Sequence, residues 1–356
     1  MDKKLNVAIL GATGAVGQRF IQLLENHPWF RVAEVVASER SAGKRYDDAA
    51  HWVVDGLPPA DVADMIVKPL GGSLDSPLVF SALPKEAAIE IEPALASAGH
   101  IVATNASAYR MTSDVPLMLP EVNASHLGLI DVQRKARGWS TGALVANSNC
   151  TVMPVVMALA PLLKYGVAKL HMVSQQAISG SGYPGVPSMD ILDNVIPYVS
   201  GDEEKMPIEA RKMLGRFDGQ AIIDLPIRTS TTCTRVSVTD SHLVHVSVEL
   251  TGAPAFEEII GAWRDFRGEA PVPALPSSPA LPVQYISLQD RPQPRRDRMA
   301  GNGMATVVGR LRECELLGYK FFALAHNTIR GAAGSSIQNA ELMAVCGYID
   351  GFSPDL

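Results

Sequence analysis

The sequence has few cysteines, no long apolar run and no excess of basic residues. Of its 356 residues only four are cysteines, and no two of them form a CxxC pair. We therefore expect neither a disulfide framework nor a metal site, and a reduced, cytoplasmic protein. No apolar run reaches the roughly 18–20 residues that span a bilayer, so we expect no membrane contact. The net charge of −6 argues against nucleic acid as a partner, because phosphate backbones recruit basic surfaces.

The composition is that of a globular protein, with 47% hydrophobic and 19% charged residues, and the length predicts two domains. Residues 1–150 alternate short apolar runs with helix-like segments, which is typical of a parallel sheet covered on both faces. From about residue 168 the strands lengthen and alternate with period two, which predicts an α+β domain with a mainly antiparallel sheet. The proline-dense residues 271–294 are expected to form an extended surface connection. The predicted fold class is therefore α/β.

A glycine loop, Gly11-Ala-Thr-Gly-Ala-Val-Gly17, lies between the first predicted strand and the first predicted helix. Glycines permit a tight turn and close backbone approach, and a helix N-terminus offers free N–H groups to a pyrophosphate. The order strand, loop, helix predicts a Rossmann-like dinucleotide-binding domain. The expected cofactor contacts in this loop are Gly11, Thr13, Gly14, Ala15 and Val16. The alternative is a plain strand-to-helix turn.

The end of the second predicted strand bears on the choice of cofactor. It carries four side chains that can donate to a 2′-phosphate, Ser38, Arg40, Ser41 and Lys44. These residues favour NADP over NAD. Glu39 is the objection, because an acidic residue here can serve a ribose hydroxyl instead.

Cys150 follows a strand-like run and precedes Pro154, so the sequence predicts that it lies at the start of a helix. The helix dipole stabilises a thiolate, and such a position can lower a cysteine pKa. A thiolate beside a nicotinamide can attack a carbonyl, so we interpret Cys150 as a nucleophile. The alternative is a buried structural cysteine.

Beyond these single features, the chain resembles the aspartate-semialdehyde dehydrogenases, in particular the fungal and archaeal form. The motifs that carry the resemblance span the chain: Gly11–Gly17, Ser148-Asn-Cys-Thr151, Gln176-Ala-Ile-Ser-Gly180, Arg235-Val-Ser-Val-Thr-Asp-Ser-His242 and Asn327-Thr-Ile-Arg-Gly-Ala-Ala-Gly334. The resemblance implies a dinucleotide-binding domain over residues 1–150, completed by a C-terminal helix at about 328–356. It also implies a catalytic and oligomerisation domain over residues 151–327.

The resemblance further implies a nucleophile at Cys150, an acid/base at His242 and an orienting glutamine at Gln176. His242 follows Ser241, where the family usually has glycine, so the loop must shift if that glycine has a positive φ. His245 is the competing histidine, although strand parity places it on the opposite side from Val244 and Val246.

The remaining site residues also follow from the resemblance. Those expected to contact the substrate or its phosphate are Arg110, Asn149, Glu204, Lys205 and Arg235. Those expected to contact the cofactor are Ser81, Asn105, Ser179, Gly180 and Asn327. No role is assigned to Arg330.

The implied reaction is the NADPH-dependent reductive dephosphorylation of L-aspartyl 4-phosphate, by way of a thioester on Cys150. It yields L-aspartate 4-semialdehyde and phosphate, and the implied assembly is a homodimer or homotetramer. Tyr183-Pro184 favours the related malonyl-CoA reductases, whereas Ser148-Asn149-Cys150-Thr151 favours the first interpretation. A reductase of a longer acyl phosphate and a non-catalytic NADP-binding protein remain alternatives.

Overall fold

The computed structural model describes residues 4–354 and residue 356. A seven-stranded sheet occupies the N-terminal part of the chain. Its strands are β1 (Leu5–Leu10), β2 (Phe30–Ala37), β3 (Lys68–Pro69), β4 (Leu78–Ser81), β5 (Ile101–Thr104), β6 (Leu117–Met118) and β7 (Ala143–Asn147). Every pairing is parallel, in the order β3-β2-β1-β4-β5-β7-β6. The predicted Rossmann-like parallel sheet is thereby confirmed.

This sheet is buried on both faces, which explains its continuous apolar runs. In β1, Val7 and Ile9 pack into one hydrophobic cluster, whereas Ala8 and Leu10 pack into another on the opposite face. All residues of β4, β5 and β7 are buried. Helices therefore cover both sides.

The chain contains twelve α-helices within its described residues. They are α1 (Ala15–Leu24), α2 (Tyr46–Ala49), α3 (Ala60–Ala63), α4 (Lys85–Ser97), α5 (Pro120–Asn123), α6 (Leu129–Arg137), α7 (Val152–Leu159), α8 (Ser188–Ile191), α9 (Asp202–Met213), α10 (Phe256–Asp265), α11 (Pro294–Asp297) and α12 (Gly334–Val345). A π-helical segment, Ile329–Ala333, leads directly into α12. No helix of the described chain is long and apolar enough to cross a membrane.

The second large sheet has six strands. They are β8 (Val167–Gln176), β11 (Arg228–Arg235), β12 (His242–Leu250), β13 (Val283–Ile286), β14 (Thr306–Cys314) and β15 (Gly318–Ala325). A separate two-stranded ribbon joins β9 (Arg216–Phe217) and β10 (Ile222–Ile223). In the order β11-β8-β12-β15-β14-β13 the three inner pairings are antiparallel and both outer pairings are parallel. The sheet is therefore mixed, with three of its five pairings antiparallel, which agrees with the predicted mainly antiparallel sheet.

The proline-dense stretch corrects an expectation from the sequence. We expected residues 271–294 to be an extended surface connection, but β13 lies within them and forms an edge of the sheet. Pro279 and Pro282 precede this strand, so neither removes a donor from its ladder. The buried side chain of Val283 then anchors the strand in the core.

The topology collects the candidate site residues at one place. The carboxyl ends of parallel strands meet at one sheet edge, so the glycine loop after β1, Ser81, Asn105 and Cys150 converge there. Helix α12 packs against β4, β5 and β7. The domain division at residue 150 falls between the two sheets and stays a prediction.

Candidate active site

A cavity of about 530 Å³ runs from the glycine loop to Cys150. Its walls come from the loop after β1, from the segment after β8 and from the π-helical segment. The predicted residues that line it are Thr13, Gly14, Ala15, Val16, Asn105, Arg110, Asn149, Cys150, Ser179, Gly180 and Asn327. The volume lies within the range of sites for small molecules and cofactors.

The glycine loop is as tight as its sequence predicts. Gly11 has φ +73°, and a Cβ there would lie 2.7 Å from the carbonyl oxygen of Ala82. A Cβ on Gly17 would lie 2.3 Å from the oxygen of Gly11. Helix α1 starts directly after Gly14, with no acidic residue in its first turn. This arrangement leaves backbone N–H groups for an anionic group and so fits a dinucleotide.

The side chain of Gln18 closes this loop, and the sequence analysis missed it. Its amide donates to the carbonyl oxygens of Thr13 at 3.0 Å and His51 at 2.7 Å, and its Oε1 accepts from the N–H of Val53 at 2.7 Å. Gln18 is almost completely buried. The available signal was its position on α1, one turn before the apolar Ile21 on the face predicted to be buried.

The candidate 2′-phosphate residues lie in the turn that follows β2, and they do not line the cavity. Ser38, Arg40 and Lys44 are exposed, and Ser41 is half-buried. The turn is held by the carbonyl of Ser38, which accepts from the N–H groups of Ser41 and Ala42. Their side chains are therefore free to meet a ligand from solvent.

Ser81 and Asn105 occupy the ends of β4 and β5. Ser81 is completely buried behind the cavity wall. Asn105 lines the cavity, and its Oδ1 accepts from Asn147 Nδ2 at 2.9 Å. Asn147 in turn donates to the carbonyl of Ala332, so these amides join the first sheet to the π-helical segment.

Cys150 and His242 are brought together from different sheets. Cys150 Sγ lies 3.2 Å from His242 Nε2, although 92 residues separate them in the chain. Cys150 precedes α7, and His242 is the first residue of β12. His245 faces elsewhere, with its ring 5.2 Å from that of Phe322. Of the two candidate histidines, only His242 contacts the cysteine.

The electrostatics of the pair differ from the sequence-based expectation. Burial raises the pKa of Cys150 to about 11; the nearby charge of Asp202 adds to this, and Arg110 and Arg235 oppose it. We expected a lowered pKa from the helix dipole, but Cys150 lies before the first helical residue and desolvation is the larger effect. Burial also lowers the pKa of His242 to about 3, with Arg235 contributing. The pair is therefore uncharged at neutral pH.

The hydrogen bonds of His242 fix where its ring proton lies. Nδ1 accepts from the backbone N–H of Ala177 at 3.1 Å, so a neutral ring must carry its hydrogen on Nε2. Nε2 therefore points a donor at Cys150 Sγ. This nitrogen cannot accept a proton from the thiol until it has given up its own.

Arg235 and Gly180 pack around this pair. Arg235 is buried and donates from Nη1 to the carbonyl of Ala177 at 2.7 Å. A Cβ on Gly180 would lie 2.8 Å from Arg235 Nη1 and 3.0 Å from His242 Cε1. Position 180 therefore has no room for a side chain.

Arg110 is held at the cavity wall by Glu209, which the sequence analysis missed. Its Nη1 lies 3.1 Å from Glu209 Oε1, and its Nη2 donates to the carbonyl of Asn105 at 2.9 Å. Glu209 Oε2 also accepts from the backbone N–H of Asn149 at 2.7 Å. Lys212, from the same helix, donates to the carbonyls of Arg110, Thr112 and Val115, which fixes the loop that carries Arg110. Burial lowers the pKa of Lys212 to about 8.

Glu204 and Lys205, predicted to contact the substrate, are not among the residues that line the cavity. Glu204 is exposed, and Lys205 Nζ folds back over Gly201. The carboxylates of α9 that face the site are Asp202 and Glu209, seven residues and about two turns apart, whereas Glu204 lies on another face.

A signal for Glu209 was present in the sequence. It shares a helical face with Met206, Ala210 and Met213, all of which are buried. A charged residue at a core position of an amphipathic helix indicates a buried partner.

Gln176 and Asn149 meet at Asp202. The carboxylate of Asp202 accepts from Gln176 Nε2 at 2.9 Å and from Asn149 Nδ2 at 3.1 Å. Gln175 points away from this cluster and is exposed, as strand parity predicts.

Asn327 connects the cofactor side of the cavity to the loop of His242. Its Nδ2 donates to Ser179 Oγ at 2.8 Å, and its Oδ1 accepts from the backbone N–H of Ser241 at 2.8 Å. Ser241 has φ +86°, the left-handed region that the usual glycine would occupy without strain. Serine therefore adopts, at this position, a conformation that favours glycine.

Comparison with known proteins agrees with this construction. Residues 6–130 match a family model described as "Semialdehyde dehydrogenase, NAD binding domain", and residues 159–330 match "Semialdehyde dehydrogenase, dimerisation domain". Together with the cavity and the Cys150–His242 pair, these matches define a two-domain semialdehyde dehydrogenase.

Relatives that match nearly the whole chain show which kind of semialdehyde dehydrogenase it resembles. The aspartate-semialdehyde dehydrogenase of Archaeoglobus fulgidus is 48% identical over 96% of this chain and 98% of its own length. That of Aspergillus fumigatus is 44% identical over 97% and 99%. The chain belongs to the aspartate-semialdehyde dehydrogenase family, as its motifs predicted.

Solved structures agree in fold. The Candida albicans aspartate semialdehyde dehydrogenase with NADP superposes with a TM-score of 0.88 at 38% identity, over 98% of this chain and all of that one. A Vibrio cholerae aspartate semialdehyde dehydrogenase II complexed with ASA has a TM-score of 0.76 at 24% identity, over 96% and 98%, which supports the fold alone.

Proposed function

We propose that the protein catalyses the NADPH-dependent reductive dephosphorylation of L-aspartyl 4-phosphate to L-aspartate 4-semialdehyde and phosphate. Relatives named aspartate-semialdehyde dehydrogenase, at 44% to 48% identity over nearly the full length, support the substrate and do not favour the malonyl-CoA reductase alternative. The observation that carries the chemistry is the 3.2 Å contact between Cys150 Sγ and His242 Nε2 at the end of the nucleotide cavity.

The cavity fits NADP(H) because the glycine loop that would hold the pyrophosphate of the cofactor carries only short side chains. Gly11, Thr13, Gly14, Ala15 and Val16 would hold the pyrophosphate at the N-terminus of α1. When bound, the cofactor supplies the hydride that reduces the acyl group. Contacts expected further along the cofactor involve Ser38, Arg40, Ser41, Lys44, Ser81, Asn105, Ser179, Gly180 and Asn327.

The chain's own residues perform the covalent steps. In the reductive direction Cys150 Sγ attacks the acyl carbon and its proton passes to the phosphate oxygen. The carbon–oxygen bond to phosphate breaks, and hydrogen phosphate leaves as a thioester forms on sulfur. Arg110, at the cavity wall, is placed to hold the phosphate, and Arg235 to hold the substrate carboxylate. His242 Nε2 donates a hydrogen bond to the oxygen that becomes negative at the reacting carbon. Once the acyl group is reduced, the carbon–sulfur bond breaks, the aldehyde leaves, and the sulfur of Cys150 regains a proton.

The assembly proposed here is a homodimer or homotetramer. Support comes from the match of residues 159–330 to a dimerisation domain. The proposal also places the protein in the cytoplasm, supported by its four free cysteines.

The test is reduction of NADP by L-aspartate 4-semialdehyde in the presence and absence of phosphate. We expect turnover that requires both phosphate and the aldehyde. Parallel oxidation of NADPH with malonyl-CoA serves as the comparison. Turnover with malonyl-CoA alone would contradict the proposed substrate while retaining the role of Cys150.

The covalent mechanism has its own test in Cys150→Ser. We expect kcat to fall by about 10³-fold or more, because a serine hydroxyl is a much weaker nucleophile than a thiol. Binding of NADPH, measured by fluorescence, is expected to be unchanged. Cys346→Ser is the matched control, because Cys346 is exposed and lies after α12. Full activity in Cys150→Ser would exclude the thioester.

A further inference from the structure

One carboxylate ties together two elements that meet at the nucleophile. Asp202 is the first residue of α9 and is half-buried. One of its oxygens accepts from Asn149 in the turn after β7, and the other from Gln176 at the end of β8. These two strands belong to different sheets, so Asp202 joins both sheets beside Cys150.

The first of these contacts shapes the turn that carries the sulfur. Because Asn149 Nδ2 is bound to Asp202, its Oδ1 is directed to the backbone N–H of Thr151, at 2.7 Å. The side chain of Asn149 thus links Asp202 to the backbone of Thr151, the residue that follows Cys150. Its backbone N–H is held by Glu209 from the same helix.

The second contact sets the orientation of Gln176. Its Nε2 donates to Asp202 at 2.9 Å and to Ser174 Oγ at 3.3 Å, which uses both hydrogens. The carbonyl Oε1 is then the atom that remains to accept from a donor on the substrate. A reversed amide would present hydrogens at that point instead.

We propose that Asp202 is a positioning residue for the reaction: it fixes the amides of Asn149 and Gln176, and thereby the turn of Cys150 and the polarity that Gln176 presents to the substrate. This inference deepens the proposed function and depends on it for the substrate. The carboxylate is suited to the task because it accepts from two amides at once, which a single amide or hydroxyl in its place does not do with the same geometry.

Asp202→Asn is the direct test. Asparagine replaces one accepting oxygen with a donor, so either Asn149 or Gln176 must turn away. We expect kcat to fall 10- to 100-fold, as about 1 Å of displacement near reacting atoms can cost. The KM for NADPH is expected to stay within twofold. Asp190→Asn is the matched control, because it removes the same charge from an exposed position in α8.

A second measurement separates positioning from general damage. The charged or titratable groups facing the Cys150 thiol are Asp202 from α9, Arg110 from the loop after β5, Arg235 from β11 and His242 from β12. Of these, only Asp202 is negative and opposes the thiolate. Asp202→Asn should therefore accelerate alkylation of Cys150 by iodoacetamide severalfold at pH 8, although turnover falls.

Asp202→Glu completes the set. It keeps the charge but moves the carboxylate by one methylene, so alkylation is expected to stay slow while kcat falls. Undiminished kcat in Asp202→Asn, or alkylation that slows together with turnover, would overturn the inference. Alkylation is measured without substrate or cofactor. If the unmutated protein shows no dehydrogenase activity, that result contradicts the proposed function, whereas the alkylation rates still test the role of Asp202.

Discussion

At the scale of single residues, the candidate site depends on a few contacts that fix the orientation of the His242 ring. The ring of His242 is fixed by the N–H of Ala177, and Gly180 packs against that ring with no space for a Cβ. Burial keeps both Cys150 and His242 uncharged.

Ser241 gives a prediction about stability. Its φ of +86° costs a non-glycine residue about 1 kcal/mol, and its Oγ is buried with no hydrogen-bond partner among the described residues. Ser241→Gly should therefore raise the melting temperature, by about 1–2 °C. Differential scanning fluorimetry measures it.

Ser247 offers the contrast for this measurement. It lies within β12, where glycine weakens a strand, so Ser247→Gly should lower the melting temperature. A fall in both variants would show that the backbone at Ser241 is not strained.

At the scale of elements, the π-helical segment Ile329–Ala333 forms the wall behind the nucleophile. Gly331 lies against Cys150, and Arg330 beside it is completely buried in an ion pair with Glu121 at 2.6 Å. Arg330 Nη1 also donates to Gln338 of α12 at 2.7 Å. Arg330, to which the sequence analysis assigned no role, therefore anchors the segment to α5 and α12.

The packing of this segment predicts the effect of Gly331→Ala. The added Cβ would lie 2.6 Å from Cys150 Cβ, so one of the two backbones must move. We expect kcat to fall about 100-fold, because reacting atoms tolerate little displacement. Steady-state kinetics with L-aspartate 4-semialdehyde measures it.

Gly261→Ala is the control for that variant. Gly261 lies in α10, and no neighbouring atom comes within 4 Å of the position that a Cβ would take. Alanine there should leave kcat unchanged and stabilise the helix by about 1 kcal/mol. Equal kcat in Gly331→Ala and the unmutated protein would show that the π-helical segment can shift to accommodate the added methyl group.

The turn after β2 gives a prediction about cofactor choice. Arg40 is exposed beside the proposed site of the 2′-phosphate. Arg40→Ser should raise the KM for NADPH by about 10- to 100-fold, since a charge-assisted contact contributes about 1.5–3 kcal/mol. The KM for NADH should stay nearly constant.

The control is Arg31→Ser, at the other end of β2, where the arginine contacts Asn6. It should affect neither cofactor. A parallel rise of both KM values in Arg40→Ser would indicate that the turn, and not the 2′-phosphate, is recognised.

At the scale of the whole molecule, folding buries histidines in neutral form. Burial lowers the pKa of His126 to about 4, of His242 to about 3 and of His326 to about 4. In the unfolded chain each takes up a proton near pH 6.5, whereas the native state resists protonation until far lower pH. The unfolded state therefore binds more protons between these values, so stability falls as the pH falls through this window.

This predicts a decline of the melting temperature between pH 6.5 and about 4.5. Each such histidine contributes up to about 1.4 kcal/mol per pH unit. His126→Asn should make the decline shallower, because it removes one of the three histidines that are buried in neutral form. His126 was chosen because it lies outside the cavity. His51→Asn, at an exposed histidine, should leave it unaltered. An unchanged melting temperature over this range would contradict the neutral burial.

The sequence by itself determined the parallel sheet, the glycine loop and the family. Continuous apolar runs and a glycine spacing are local patterns with a direct physical meaning. The family followed from the resemblance of the motifs around Cys150 and His242. The choice of His242 over His245 followed from the same resemblance, and strand parity supported it.

Only the tertiary structure decided which charges reach the site. Asp202, Glu209 and Lys212 come from α9, the helix on which the sequence analysis chose Glu204 and Lys205, neither of which lines the cavity. The edge strand β13 and the raised pKa of Cys150 were equally out of reach. Strand pairing, the burial of a side chain and the pKa of a group depend on elements that are far apart in the chain. Local sequence patterns do not show which of these elements come into contact.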